Sequence, residues 1–239
     1  MNQALSPGQR ADLLVEAMTL DEKIVMMHGT GACPEVWTEK CAMPIKGYIG
    51  EVPANERLGI PHLSLADGRA DVGNHAEDVT LLPAPIAAAS SWDVDLLNEF
   101  GHVLGKEQWD KGTNVTLSPT IDVVRVPEWG RTFESYGEDP YLNARMAVAE
   151  IKGIQAEGSI ADANMYVTMQ QESQRFSSDS VVASALSRKS IFLPMKRRSL
   201  KATSAPSCAP TSRPTASTPA RMPTSFRTSS ARSSSSTAG

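Results

Sequence analysis

The chain has 239 residues, 41% of them hydrophobic and 21% charged, enough for one domain with a core of its own and too apolar for a wholly disordered chain. Its net charge of −4 conceals a division: all 27 acidic residues lie at or before Asp179, whereas residues 183–239 carry ten of the 23 Lys and Arg. Residues 1–182, with 13 basic side chains, therefore balance at −14 and the tail at +10.

In chain order, Ser6-Pro7 predicts a helix start, as cap and first-turn proline, with Leu13, Leu14, Ala17 and Met18 at helical spacing. Thr19 and Glu22 form a capping-box pattern for a short second helix ending at Gly29. Residues 29–57 read as a long loop with one short strand near Tyr48. The run His62–Ala66 reads as a buried strand ending at Asp67-Gly68. A proline-punctuated loop leads to a helix over about Asp93–Lys111, with Leu96, Leu97, Phe100, Val103 and Leu104 on one face. A second strand, Asn114–Leu117, opens into a polar loop over residues 119–139. Asp139-Pro140 starts a helix from Tyr141 to about Glu157, and a third strand follows at about Ile160–Val167. The order β-α-β-α-β predicts a parallel sheet with right-handed crossovers, whose binding groups sit in loops at the C-terminal ends of the strands. Asp67, the loop from Asp122 to Asp139, and Asn164 all fall at such ends.

Those residues suit a sugar ring. A carboxylate accepts and a guanidinium donates in a fixed fork, so together they hold adjacent hydroxyls. Asp67, Arg131 and Glu134 are such groups, and Trp129, Phe133 and Tyr136 offer apolar faces. Taken singly, each has a plainer reading: Asp139-Pro140 is a helix cap, Asp67-Gly68 a turn, and Trp129 and Phe133 core residues.

The segment Arg125–Pro140, RVPEWGRTFESYGEDP, joins ERLGIPHLSLADG, LLPAPIAAASSWD, and Ile151–Gln155 with Gly158 in one register. Through these spaced motifs residues 8–182 resemble family 3 glycoside hydrolases, the β-glucosidase and β-xylosidase group. The resemblance implies the N-terminal barrel domain of that family: an α/β fold and a partial (β/α)8 TIM-type barrel of about the first three βα units. It implies sugar contacts from Asp67 of the DG motif, from Arg131 of the WGR motif with Glu134 beside it, and from Asn164 on the third strand. The implied partner is a β-glucoside or oligosaccharide substrate, hydrolysed at its terminal non-reducing residue with no metal or organic cofactor. Two departures bear on substrate preference. The family usually has Lys-His on the third strand, where this chain has Asn164-Met165, and Pro after the DG motif, where this chain has Arg69. Gln171-Glu172 keeps the family pattern.

Retaining hydrolysis needs two carboxyl groups, a nucleophile and an acid/base. The family takes its nucleophilic aspartate from a later barrel strand and its acid/base glutamate from a second domain, and neither motif occurs here. A complete barrel takes about 250 residues. The expectation is therefore a chain with no catalytic residue, inactive by itself. A non-catalytic sugar-binding remnant is the alternative, and a basic-tail interaction protein a weaker one.

After Val182 the family continues with D-E-R-T-L, a helix and L-P, then G-x-V-G-A-V-M-C-A-Y. If one nucleotide were lost near codon 183, the shifted frame permits ERTLQEIYLPPYEAAI and EGDVGAVMCAY over Ala183–Thr211, and NGVYACENAD over Pro214–Thr224. Methionine has a single codon, so Met195-Lys196 must give Glu and Met222-Pro223 must give Ala, and both fit. The sequence thus divides into 1–182, an incomplete barrel domain, and 183–239, an out-of-frame tail expected to be disordered for want of hydrophobic and aromatic residues. That basic tail lacks aromatic interleaving, and no nucleic-acid partner is expected. Cys33, Cys41 and Cys208 have no metal spacing and leave one thiol over; a Cys33–Cys41 bridge and two free thiols both stay open. No run reaches membrane-spanning length, and MNQALSPGQRADLLVEAM lacks the apolar core of a signal peptide. The chain as written is expected in the cytoplasm, with secretion open to full-length relatives.

Overall fold

The computed structural model describes residues 4–28, 49–73, 76–164 and 172–174. Helix α1, Pro7–Ala17, begins on the Ser6 cap: Ser6 Oγ accepts from the Gln9 amide at 3.3 Å, and Gln9 Oε1 accepts in return from the Ser6 amide at 3.0 Å. Helix α2, Leu20–His28, begins on the reciprocal Thr19–Glu22 pair. Neither helix has a buried residue; Met18 between them does. Arg57 anchors their junction, donating to Glu22 Oε2 at 2.6 Å and to the Ala17 carbonyl at 2.9 Å.

Four strands form one sheet in the order β1 (Gly50–Val52), β2 (Leu63–Asp67), β3 (Val115–Leu117) and β4 (Ile160–Ala161). The last three are parallel, with Leu65 opposite Val115 and Val115 opposite Ile160. Strand β1 departs from the purely parallel expectation. It runs antiparallel to β2, pairing Gly50 with Leu65, and so covers the β2 edge. The short strand expected near Tyr48 is thus found two residues later; Tyr48 itself lies outside the described residues. Strand β4 continues as a bridge between Thr120 and Asn164, and the expected strand residues 165–167 lie outside the description.

Helix α3, Pro85–Ala89, occupies part of the stretch read from sequence as loop. Its five residues are too few for a periodic signal, and Ala88 and Ala89 are buried by tertiary contact. Helices α4, Val94–Asp110, and α5, Pro140–Ala156, start where the caps Asp93 and Asp139 predict, each carboxylate accepting from two first-turn amides. Leu97, Phe100 and Leu104 of α4 meet Met146, Ala147, Ile151 and Ile154 of α5 in the core, with Ile121 and Ala161 from the sheet side. The two helices touch backbone to backbone. A methyl group at Gly101 would run into the Glu150 carbonyl, and one at Gly153 into the Asn98 carbonyl. The observed fold is α/β, with three parallel strands and two long helices in the order of a (β/α) barrel's opening units. Residues 183–239 lie outside the described residues.

Candidate functional site

The C-terminal ends of β2, β3 and β4 bring together residues far apart in sequence. Asp67 is the last residue of β2, level with Leu117 of β3. Its backbone is pinned from beneath: the Asp67 carbonyl accepts from the Gly73 amide at 2.8 Å and from Gln108 Nε2 of α4 at 3.2 Å. Gly68 is required by this approach, since a side chain there would meet Gln108 Nε2 and the Asp71 carbonyl. Asn164 is set by backbone pairing, its amide donating to the Pro119 carbonyl at 2.9 Å and its carbonyl accepting from the Ile121 amide at 2.7 Å.

Arg131 and Glu134 belong to the loop after β3. Thr132–Glu134 is a single 3₁₀ turn, and across it the Arg131 fork grips the Glu134 carboxylate, Nη2 to Oε2 at 2.7 Å and Nε to both oxygens at 3.1 Å. The loop itself is tied down. Ser135 Oγ donates to the Asp122 carbonyl at 2.5 Å, the Val124 amide to the Gly137 carbonyl at 3.0 Å, and Asn143 Nδ2 of α5 to the Asp122 carbonyl at 3.4 Å. Asp122 is buried and spends its backbone on this closure. The Glu134 carboxylate raises the pKa of the Arg131 guanidinium above its ordinary value, with Glu172 and Asp67 adding to the field against partial desolvation.

The residue that joins these parts is Arg69, noted in the sequence only as a departure from Pro. Its Nε lies 2.8 Å from Glu134 Oε2 and 2.7 Å from Thr120 Oγ1. Its Nη1 lies 3.5 Å from Asp67 Oδ1, and its Nη2 donates to Asn164 Oδ1 at 3.2 Å. All four sequence-predicted residues, Asp67, Arg131, Glu134 and Asn164, are thus connected through Arg69 and Glu134. Sequence reasoning passed over Arg69 because an Arg after a DG turn carries no local signal. Its position two residues beyond Asp67 at a strand end was the clue available.

The three aromatics part company. Tyr136 is a core residue, its hydroxyl donating to the buried Glu150 carboxyl. That corrects the reading of Tyr136 as a sugar face: one residue past the Ser135 clamp, it turns inward. Trp129 is also buried, with Nε1 donating to Glu172 Oε1 at 3.3 Å. Phe133, in the same turn as Glu134, is 53% exposed. The cluster therefore combines two carboxylates, which accept, with two guanidinium forks, which donate. Among the described residues no group of three or more His, Cys, Asp or Glu is placed to hold a metal ion, and no helix is long and apolar enough to cross a membrane.

Comparison with known proteins agrees with the fold and the motifs. The family model for the glycosyl hydrolase family 3 N-terminal domain matches residues 26–192. The chain is 38% identical over 174 residues to a probable β-glucosidase F of Aspergillus flavus, covering 72% of this chain and 19% of the relative. It is 33% identical over 186 residues to a probable β-glucosidase I of Neosartorya fischeri, covering 76% and 20%. Among solved structures, a β-glucosidase of Streptomyces venezuelae in complex with D-glucose superposes with a TM-score of 0.71 at 35% identity, over 80% of this chain and 23% of that one. The β-glucosidase 3B of Thermotoga neapolitana in complex with α-D-glucose gives 0.72 at 30% identity, over 81% and 28%. The chain spans about a fifth of the length of the curated relatives it matches. With the motifs, the fold and these likenesses in agreement, the chain belongs to glycosyl hydrolase family 3, within the N-terminal domain of that family.

Proposed function

We propose that the cluster of Asp67, Arg131, Glu134 and Asn164 binds the terminal glucosyl unit of a β-glucoside, as part of a retaining β-glucosidase barrel. The observation that carries the reading is the convergence of these four side chains, from two strand ends and the loop after β3, on a single network. Likeness to β-glucosidases solved with glucose supports the same ligand. Asp67 and Glu134 accept from ring hydroxyls, Arg131 donates, Asn164 serves as acceptor and donor, and Phe133 lies against the apolar face of the ring. Hydrolysis itself requires a nucleophile and an acid/base that the 239 residues do not supply, so this chain alone binds and does not turn over. No metal, organic cofactor, nucleic acid or membrane enters the reading.

Calorimetric titration of the full chain with D-glucose, and with a gluco-imidazole as a tighter probe, tests the site. Asp67→Ala removes a charged acceptor and is expected to weaken binding by about tenfold or more, in line with a lost hydrogen bond to a charged group of roughly 1.5–3 kcal/mol. Equal heats from the native and D67A chains would remove the basis of the proposal. Residues 183–239 enter it as an out-of-frame reading of the same family. The family match runs ten residues past Val182, to residue 192, so the two frames are to be separated by sequencing genomic DNA and transcript across codons 175–245. One additional base that restores DERTL and an open frame would make the present frame an artefact of a full β-glucosidase-like product. Unbroken agreement with the present frame in both would place the lesion in the gene itself and make it a broken copy.

A further inference from the structure

The side chain with the most partners in the cleft is one to which the binding scheme above gives no task. Arg69 reaches Asp67 at the end of β2, Thr120 beyond β3, Asn164 beyond β4 and Glu134 in the turn that carries Arg131. It thereby links every chain segment that contributes to the site. Its side chain is only 14% exposed, and that of Glu134 13%. Two carboxylates, Asp67 and Glu134, share its guanidinium, and the Arg131 fork holds Glu134 from another direction. Like charges drawn toward one partly buried point repel, and each would turn toward solvent without a shared counter-ion. A guanidinium suits this task because its donors form a flat, rigid fork that serves several acceptors at once; an ammonium group offers a point charge. Gly68 and Gly73, each backed closely by neighbouring atoms, fix the turn from which Arg69 projects.

We infer that Arg69 is the positioning residue of this cleft, a clamp that holds Asp67, Glu134 and Asn164 in their convergent arrangement so that a sugar meets a preformed set of acceptors. The inference takes its ligand from the sugar-binding reading, but the clamp is a property of the ligand-free chain and is measurable there. It also assigns a consequence to the sequence: the side chain two residues after Asp67 supplies the cation that gathers the strand ends.

The test has two arms, both on the full chain. In the first, denaturant unfolding of the native, Arg69→Ala, Glu134→Gln and doubly substituted chains forms a double-mutant cycle. A clamp predicts that the unfolding equilibrium constants couple by about fivefold or more, within the usual range for directly contacting groups; independent effects overturn it. In the second, D-glucose is titrated. R69A is expected to weaken binding by about tenfold or more, the range for a lost charge-assisted bond. Arg69→Lys recovers part of the loss, and low-millimolar guanidinium added to R69A recovers more. A residue that merely stabilises the fold would lose binding without that rescue, and an R69A chain binding glucose as tightly as the native chain, or more tightly, would show a plug in place of a clamp. Arg69→Gln, which keeps two donors and most of the volume, covers the case in which R69A fails to fold. If the native chain shows no response to glucose, the sugar reading fails by itself, and the cycle alone decides the clamp.

Discussion

Replacing Gly153 with alanine is expected to destabilise the chain by about 2–3 kcal/mol, although alanine is the better helix former. At an exposed mid-helix position the same change gains roughly 1 kcal/mol from propensity. At Gly153 a methyl group would meet the Asn98 carbonyl, the His102 amide nitrogen and the Gly101 carbonyl carbon, all backbone atoms of α4. Backbone on both sides leaves no side chain free to rotate away, so the helices must separate. Overpacking of this kind costs about 1–3 kcal/mol and occasionally more. Separation would also loosen Leu97, Leu104, Ile151 and Ile154, which are fully buried across that contact. Gly101→Ala and Gly105→Ala should act in the same direction, against Glu150 and Ile154. Gly8, with nothing within 4 Å of its added methyl, supplies the contrast: G8A is expected to stabilise by about 0.4–1 kcal/mol. Denaturant midpoints at constant m-value measure all four changes. A G153A midpoint equal to or above the native one would refute close packing of α4 on α5.

Stability is expected to fall as pH rises from about 4.5 to about 7, by an amount on the order of 3 kcal/mol attributable to Glu150. Burial pushes the Glu150 carboxyl up from its ordinary 4.5 to about 7, against the pull of hydrogen bonds from Tyr136 and Ser118 and the more distant charge of Arg69. The sign follows from proton counting. Below about 4.5 folded and unfolded chains both hold the proton, and the contribution is fully present. Between 4.5 and 7 the unfolded chain has released it and the folded chain has not, so each pH unit favours unfolding. Above about 7 both are ionised and the loss is complete. Glu150→Gln removes the titrating group and should flatten that part of the stability profile; a native slope that survives in E150Q assigns the dependence elsewhere. Tyr136→Phe removes a donor to the ionised form, so its cost should grow as pH rises above about 7, where the folded Glu150 carboxyl ionises. Burial pushes the Tyr136 hydroxyl well up too, so it remains a donor throughout the window.

The two effects meet at Glu150. Glu150 lies on the α5 turn against which Gly101 packs, and its partner Tyr136 follows directly on the turn holding Arg131 and Glu134. Glu150 is thus a neutral, hydrogen-bonded carboxyl below about pH 7 and an ionised one above it. Arg69 joins this site to the cluster: it pairs with Asp67 and Glu134, and its charge lowers the Glu150 proton affinity.

The sequence by itself determined what short-range chemistry decides. Helix starts at Ser6, Thr19, Asp93 and Asp139 were legible because a cap is made within three residues of itself. The alternation of strand and helix foretold parallel pairing of β2, β3 and β4, and strand-end position placed Asp67 and Asn164 together. The spaced motifs named the family, and with it Arg131 and Glu134. What only tertiary structure decided are contacts between distant segments. Strand β1 turns antiparallel because the open edge of β2 is there to be covered, and nothing in Gly50–Val52 announces that direction. Tyr136 faces inward, and Trp129 is buried against Glu172, because the 122–137 loop is tied back to α5; locally either ring could have faced a sugar. Arg69 was visible only as a residue out of pattern. Its four partners lie 2, 51, 65 and 95 positions away, and a single side chain gathers them because three parallel strands end at the same level.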